Sequence, residues 1–454
     1  MTTRTSNDDS AASAGGVWLK RWEPEDPAFW EQSGKALAWR TLWITTANLI
    51  LAFVVWFVVS ALVVRLPGIG FQLTGSQLFW LTAMPGLAGG SLRIIHTFLI
   101  PLYGTRNVVA VSTFSLLIPA VGWVYAVQDP ATPYCILLLL SFCAGLGGGN
   151  FSSFMPSTSL FFPKRLQGTA LAIQAGIGNF GVSVVQFLTP WLIGFAVFGS
   201  LIGKPETFTK SGVKSAIWLQ NAAAVYVPLI VVCAALAWKF LRSVPVRANF
   251  REQVDIFKMK HAFFMTLLYI MTFGSFSGLS ATFPLLIRQL YGQLPGAPDP
   301  LTFAFLGPLV GSVVRVLAGP VSDRFGGARV TQIAGIGMVA CAIGVTFFTH
   351  PASMTEFPYF IGFMLGLFFF SGVGNASTFK QMPMLFPPRQ AGGVIGWTGA
   401  MAAYGPFAVS IMLGYSIDFF GTPNAFFYWA VFFFTVCVAI NWWYYARKGA
   451  EAPC

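Results

Sequence analysis

The sequence predicts an all-α membrane protein of twelve transmembrane helices arranged as two pseudo-symmetric six-helix bundles. Three observations carry this prediction. Of 454 residues, 56% are hydrophobic and only 9% charged, against about 25% charged in a soluble domain. Apolar runs of about twenty residues, the length that spans a hydrocarbon core, recur along almost the whole chain. Markers in the first half return in the second at a nearly constant spacing.

Taken in order, residues 1–40 are polar and acidic enough (Glu23, Glu25, Asp26) to read as a cytoplasmic tail rather than a signal peptide. Twelve spans follow, at about 41–64, 76–100, 107–128, 134–160, 167–197, 217–240, 261–286, 301–322, 329–349, 358–386, 391–417 and 424–446. They divide into an N-terminal bundle (41–241), a basic linker (242–260), a C-terminal bundle (261–446) and a short tail (447–454). With the N-terminus inside, nineteen Lys and Arg fall on inner segments and five on outer ones. This bias predicts two cytoplasmic termini and accounts for the net charge of +12 without nucleic acid. The six cysteines are scattered, with no paired spacing and no neighbouring His, so neither a metal site nor a disulfide framework is expected.

The halves repeat. Gly149-Asn150-Phe-Ser-Ser-Phe154 returns as Gly374-Asn375-Ala-Ser-Thr-Phe379, and Phe162-Pro163 with Arg165 as Phe386-Pro387 with Arg389. Gly168 and Gly181 return as Gly392 and Gly405. Arg93, eleven residues before Gly104, returns as Arg315, eleven before Gly326. Parallel six-span repeats predict a secondary transporter with its site near the midplane, between the halves.

Eleven helical residues rise about 16 Å, roughly half a hydrocarbon core, which places Arg93 and Arg315 in mid-membrane. A central arginine costs at least about 2.5–3.5 kcal/mol to insert and usually faces a cavity or a partner rather than lipid. All fifteen acids can be assigned to tails, loops or span ends. The expected counter-ion is therefore a transported anion, with backbone carbonyls and water as the alternative. Around the arginines, Asn150-Phe151 and the i, i+4 pair Tyr269 and Phe273 would supply rings and polar groups. His96 lies one turn from Arg93, either as a proton relay or as a packed neutral ring. Lys380 is expected to snorkel from the inner end of its span. Gly176, Gly178 and Gly181 satisfy a dinucleotide-binding spacing but lie inside an apolar span, so helix packing or gating is expected of them, as of Gly405. No cofactor and no enzymatic activity are expected.

The loop Gly319-Pro-Val-Ser-Asp323-Arg324-Phe-Gly326-Gly327-Ala-Arg329 resembles the G-x3-D-R-x-G-G-x-R loop of the major facilitator superfamily. Its counterpart, Pro101 to Arg106, lacks the acid. More of the chain is similar to the NarK-type nitrate/nitrite porter family: Trp22 to Trp30, Arg93, Gly149-Asn150-Phe151, Ala175 to Gly181, Leu268 to Phe276, and Arg315 through Arg329. Gly396 to Phe407 occupies the place of the family's second glycine-rich signature, with Pro406 a departure from it. The resemblance implies the major facilitator fold, in a bacterial inner membrane, with Arg93 and Arg315 clamping the anion. Phe151 and Phe273 would sandwich it, Asn179 and Tyr269 would hydrogen-bond it, and Asp323, Arg324 and Arg329 would form a cytoplasmic latch.

The function so implied is nitrate/nitrite exchange by alternating access, by a monomer embedded in lipid. Arginine does not release its proton in a protein, and the central region offers only His96 for titration, which favours exchange over nitrate/proton symport. An anion-sensing receptor or channel is the rival from another class.

Overall fold

The computed structural model describes residues 17–210, 212–245, 256–386 and 388–454. The first sixteen residues of the expected tail and residues 246–255 of the expected linker lie outside them. Eleven helices among the described residues are long and apolar enough to cross a membrane. One of them, Gly75–Ala126, has 52 residues, and at 1.5 Å per residue would measure about 78 Å, more than twice a hydrocarbon core. Its backbone breaks at Gly104 (φ 76°, ψ 161°), a conformation that a side chain disfavours. Two crossings therefore meet there, giving twelve: α1 (Pro27–Leu62), α2 (75–103), α3 (105–126), α4 (Tyr134–Phe161), α5 (Lys164–Leu192), α6 (Asn221–Phe240), α7 (Lys260–Tyr291), α8 (Leu301–Phe325), α9 (Gly327–Thr346), α10 (Met354–Leu385), α11 (Gly393–Phe420) and α12 (Asn424–Ala446).

The repeat is visible in the backbone. Gly326, which separates α8 from α9, takes φ 90° and ψ 138°, the partner of the break at Gly104. Each arginine thus sits eleven residues before a glycine that turns the chain at the same face. That face also carries the described ends of the chain, and is called here the terminal face.

Two differences from the sequence expectation matter. α1 begins at Pro27 rather than near 41, and the segment ahead of it is docked: Trp22 donates to the Leu160 carbonyl at 2.9 Å and Glu25 accepts from the Lys164 amide at 2.9 Å. Paired aromatic rings, Trp22 on Phe161 and Trp30 on Phe162, cover the end of α4. At the opposite, far face, the α5–α6 connection forms an antiparallel hairpin, β1 (Glu206–Lys210) with β2 (Val213–Ile217), which the all-α reading did not anticipate. The C-terminal segment folds back under α7 and α9. Lys260 bonds Glu451 at 2.6 Å, which holds that carboxyl below the usual carboxylate range, and Ala328 donates to the Cys454 carbonyl at 3.0 Å.

Large apolar side chains such as Leu102, Phe347, Phe419 and Phe432 stand exposed around the bundle. The buried interior instead holds Arg93, Asn150, Gln174, Asn179, Gln186, Thr272 and Asn375. A lipid solvent explains this distribution, because apolar side chains lose nothing by facing hydrocarbon whereas polar groups must find partners inside.

Candidate functional site

Arg93 on α2 is completely buried. Its Nε donates to the Gly148 carbonyl of α4 at 2.9 Å, and its Nη1 to the Gly399 carbonyl of α11 at 2.8 Å. The second bond crosses between the halves. Three rings surround the guanidinium, with centroids 4.7 Å (Phe151), 5.2 Å (Phe273) and 5.3 Å (Trp56) from Cζ. Such contacts stabilise a desolvated cation, each by about 2 kcal/mol. Two of the five guanidinium N–H groups are therefore committed to carbonyls, while Nη2 has no partner. Carbonyls thus hold Arg93, but they carry no net charge.

Glycines let the backbones approach. A Cβ at Gly148 would fall against Trp56 and Gly89, and one at Gly149 against Leu92 and His96. The α4 carbonyls can therefore come within reach of a side chain on α2.

Arg315 on α8 is also buried, at 7% exposure, with its Cζ 5.7 Å from the Phe379 ring and its Nη1 without a partner. Among the described residues neither arginine forms an ion pair. Tyr269 ties the two together: completely buried, it lies within electrostatic reach of both guanidinium groups, and its hydroxyl makes no geometrically complete hydrogen bond. The Phe151 and Phe273 rings face one another across the halves, with centroids 6.4 Å apart and planes inclined by 24°. Tyr269 stacks on Phe273 at 5.5 Å and 11°.

Phe273 lies within a π-helical turn of α7, Ile270–Gly274, and Tyr269 immediately precedes it. Such turns insert one residue into an α-helix and are frequent at functional sites. Sequence periodicity gave no sign of this one. Gly274 lies against Gly405, and α11 breaks just before Pro406. Proline cannot donate to the preceding turn, which gives the departure at Pro406 its structural consequence. Beside that break the Tyr404 hydroxyl bonds Ser91 of α2 at 2.9 Å.

Asn179 is completely buried with both amide atoms unpartnered, as is Asn150, which the sequence reading set beside Phe151. Gly178 and Gly181 pack on α1 through Leu49 and the Ile50 backbone, whereas Gly176 faces Val316 of α8, across the halves. His96 is largely buried, with Nδ1 3.0 Å from the Ser153 hydroxyl. Asp323, Arg324 and Arg329 are exposed at the terminal face. Lys380 does not snorkel alone; it pairs with Asp323. This pairing joins α8 to α10 inside one half and does not bridge the two.

A twelve-helix bundle in two repeats around a buried, polar, unneutralised centre defines a multi-pass membrane transporter. A family model described as Major Facilitator Superfamily matches residues 44–379. The chain is 66% identical to a probable nitrate/nitrite antiporter NarK2 of Thermus thermophilus, over 97% of this chain and 99% of that one. It is 38% identical to the nitrate/nitrite transporter NarU of Salmonella typhimurium, over 95% and 96%. Among solved structures, a D-xylose-proton symporter shares the fold, with a TM-score of 0.65 at 15% identity, covering 89% of this chain and 97% of that one. The chain belongs to the major facilitator superfamily, in its branch of NarK-type nitrate/nitrite porters.

Proposed function

We propose that the protein exchanges nitrate for nitrite across a bacterial inner membrane, with the terminal face cytoplasmic and Arg93 and Arg315 as the two arms of the anion clamp. One observation carries this reading: two buried arginines share a centre in which no described residue supplies a neutralising carboxylate. Phe151 and Phe273 form the walls. Their 6.4 Å separation is close to the roughly 7 Å that two carbon contacts on either side of a planar anion require. The unpartnered donors of Asn179 and Tyr269 complete the site, and Gly176 lies at a contact with Val316 that changes as the halves rock, whereas Gly405 packs on Gly274 inside the C-terminal half. Each half contributes one arginine and one ring, so a single chain makes a complete site and acts as a monomer.

The charge inventory favours exchange. At an effective dielectric of 20, two cations about 8 Å apart repel by roughly 2 kcal/mol. Closing around a vacant site is harder than closing around an anion, so the carrier returns with a second anion. Nitrate and nitrite bear the same charge, and one-for-one exchange moves no net charge. The relatives named as antiporters agree with this direction of argument.

Labelled-nitrate counterflow in proteoliposomes tests it. Uptake is expected only into vesicles preloaded with nitrite or nitrate. Robust uptake into anion-free vesicles under an inward proton gradient would replace exchange by symport.

A further inference from the structure

At the far face lies a cavity of about 790 Å³, roofed by the β1–β2 hairpin and lined from both halves, with Arg65, Phe208, Lys210 and Asp299 on its walls. It is distinct from the central site, and none of the residues assigned to that site lines it. Arg65, just beyond α1, is 6% exposed and pairs with Asp299, just ahead of α8, across the halves. The guanidinium lies 5.4 Å from the Phe208 ring centroid, and its Nε has no partner. Lys210 donates to the Ala297 carbonyl at 3.1 Å, a neutral acceptor. Arg288 near the end of α7 feels the charge of Arg65. The remaining acid of the hairpin, Glu206, is half-buried and accepts from the Leu219 amide at 3.0 Å. Among the described residues only Arg65 of these three cations has a carboxylate partner, Asp299.

Opening the far face must carry Asp299 away with the C-terminal half. As the halves begin to part, Arg65 loses its counter-ion while still buried, which is the expensive way to break such a pair. A small oxyanion entering the cavity removes that cost, because the guanidinium fork that holds a carboxylate also holds a planar oxyanion. The excess positive charge between low-dielectric walls draws such anions in.

We propose that Arg65 is the outer docking residue for the incoming oxyanion, held in reserve by Asp299, so that the ion pair between the halves is both the far-face latch and the seat of a second anion site. The identity of the anion rests on the reading above. The latch does not. Outside the membrane, the anion first replaces Asp299 on Arg65, the halves part, and the anion passes inward to Arg93 and Arg315.

Two readouts test this in oriented proteoliposomes. Thr82, buried between α2 and α11 where it bonds Ser410 at 3.1 Å, is replaced by Cys in a Cys135→Ser background. Labelling by an impermeant maleimide then reports opening of the far face, without any transported anion. Asp299→Asn is expected to raise that labelling several-fold. The second readout is the KM for external nitrate in exchange. Arg65→Gln and Asp299→Asn both break the latch, so a latch alone predicts that both move the external KM in the same direction. Docking predicts opposite signs: Arg65→Gln raises it about tenfold, Asp299→Asn lowers it, Arg65→Lys falls between, and the internal KM stays within about twofold. External KM values moving together, or Thr82→Cys labelling unchanged by Asp299→Asn, would overturn the proposal. Wild-type vesicles that exchange no nitrate would refute the nitrate reading instead, and the labelling arm would still decide the latch.

Discussion

The two central arginines are copies in the sequence repeat but not in their surroundings. Arg93 is held by two carbonyls and three rings, whereas Arg315 lies 5.7 Å from one ring, Phe379, interacts with Tyr269, and has no carbonyl clamp among the described residues. The repeat itself supplies the reason. Phe151, the ring nearest Arg93, corresponds to Ala376, and Gly148, whose carbonyl accepts the Nε–H hydrogen bond, corresponds to Val373. Arg315 rests instead on Phe379, one turn further along α10. One arm of the clamp is preorganised and the other is loosely held, as a rocking carrier requires if it is to grip an anion on closure and let it go on opening.

This asymmetry can be broken or sharpened by substitution. The largest effect is expected of Arg93→Lys. Lysine keeps the charge but cannot reach both carbonyls, and each buried carbonyl left unpaired costs about 1–3 kcal/mol. Nitrate exchange should fall by about 100-fold or more, and thermal stability should fall with it. Arg315→Lys should weaken nitrate affinity about tenfold while the melting temperature in detergent stays unchanged, since no carbonyl depends on it. Equal loss of stability in both variants would erase the distinction.

Phe151→Ala and Phe273→Ala come next, with apparent KM for nitrate raised about three- to tenfold, in line with the roughly 0.5–1.5 kcal/mol that ring contacts contribute beyond area. Phe151→Ala should be the worse of the two, because that ring also seats Arg93. Exchange assays alongside thermal melts would separate a binding role from packing. His96→Gln is expected to leave exchange within about twofold of wild type, since the ring is packed against Ser153. A large loss, together with a new pH dependence, would revive proton coupling.

Much of this was legible in the sequence, and what was not has common physical causes. Charge scarcity, apolar runs and the repeat give the twelve crossings, and the unpaired Arg93 and Arg315 stand out because a charge in hydrocarbon is expensive. The backbone partners of Arg93 do not stand out, because the carbonyls of Gly148 and Gly399 belong to every residue alike. Trp56 is one of fifteen tryptophans, and nothing in its spacing ties it to the site. Arg65 and Asp299 are 234 residues apart, and read singly as an ordinary loop cation and loop acid. The docking of Trp22 to Trp30 was hidden by its polarity, since Glu25 is acidic in composition but serves locally as a partner for the Lys164 amide.

Thermal stabilisation of the purified protein by graded nitrate, compared among wild type, Arg93→Lys and Arg315→Lys, tests the two-armed clamp most directly. The account predicts a saturable rise in melting temperature for wild type. It predicts none for Arg93→Lys at any concentration tested, and a rise for Arg315→Lys that needs about tenfold more nitrate. Stabilisation of both lysine variants at the wild-type concentration would contradict it.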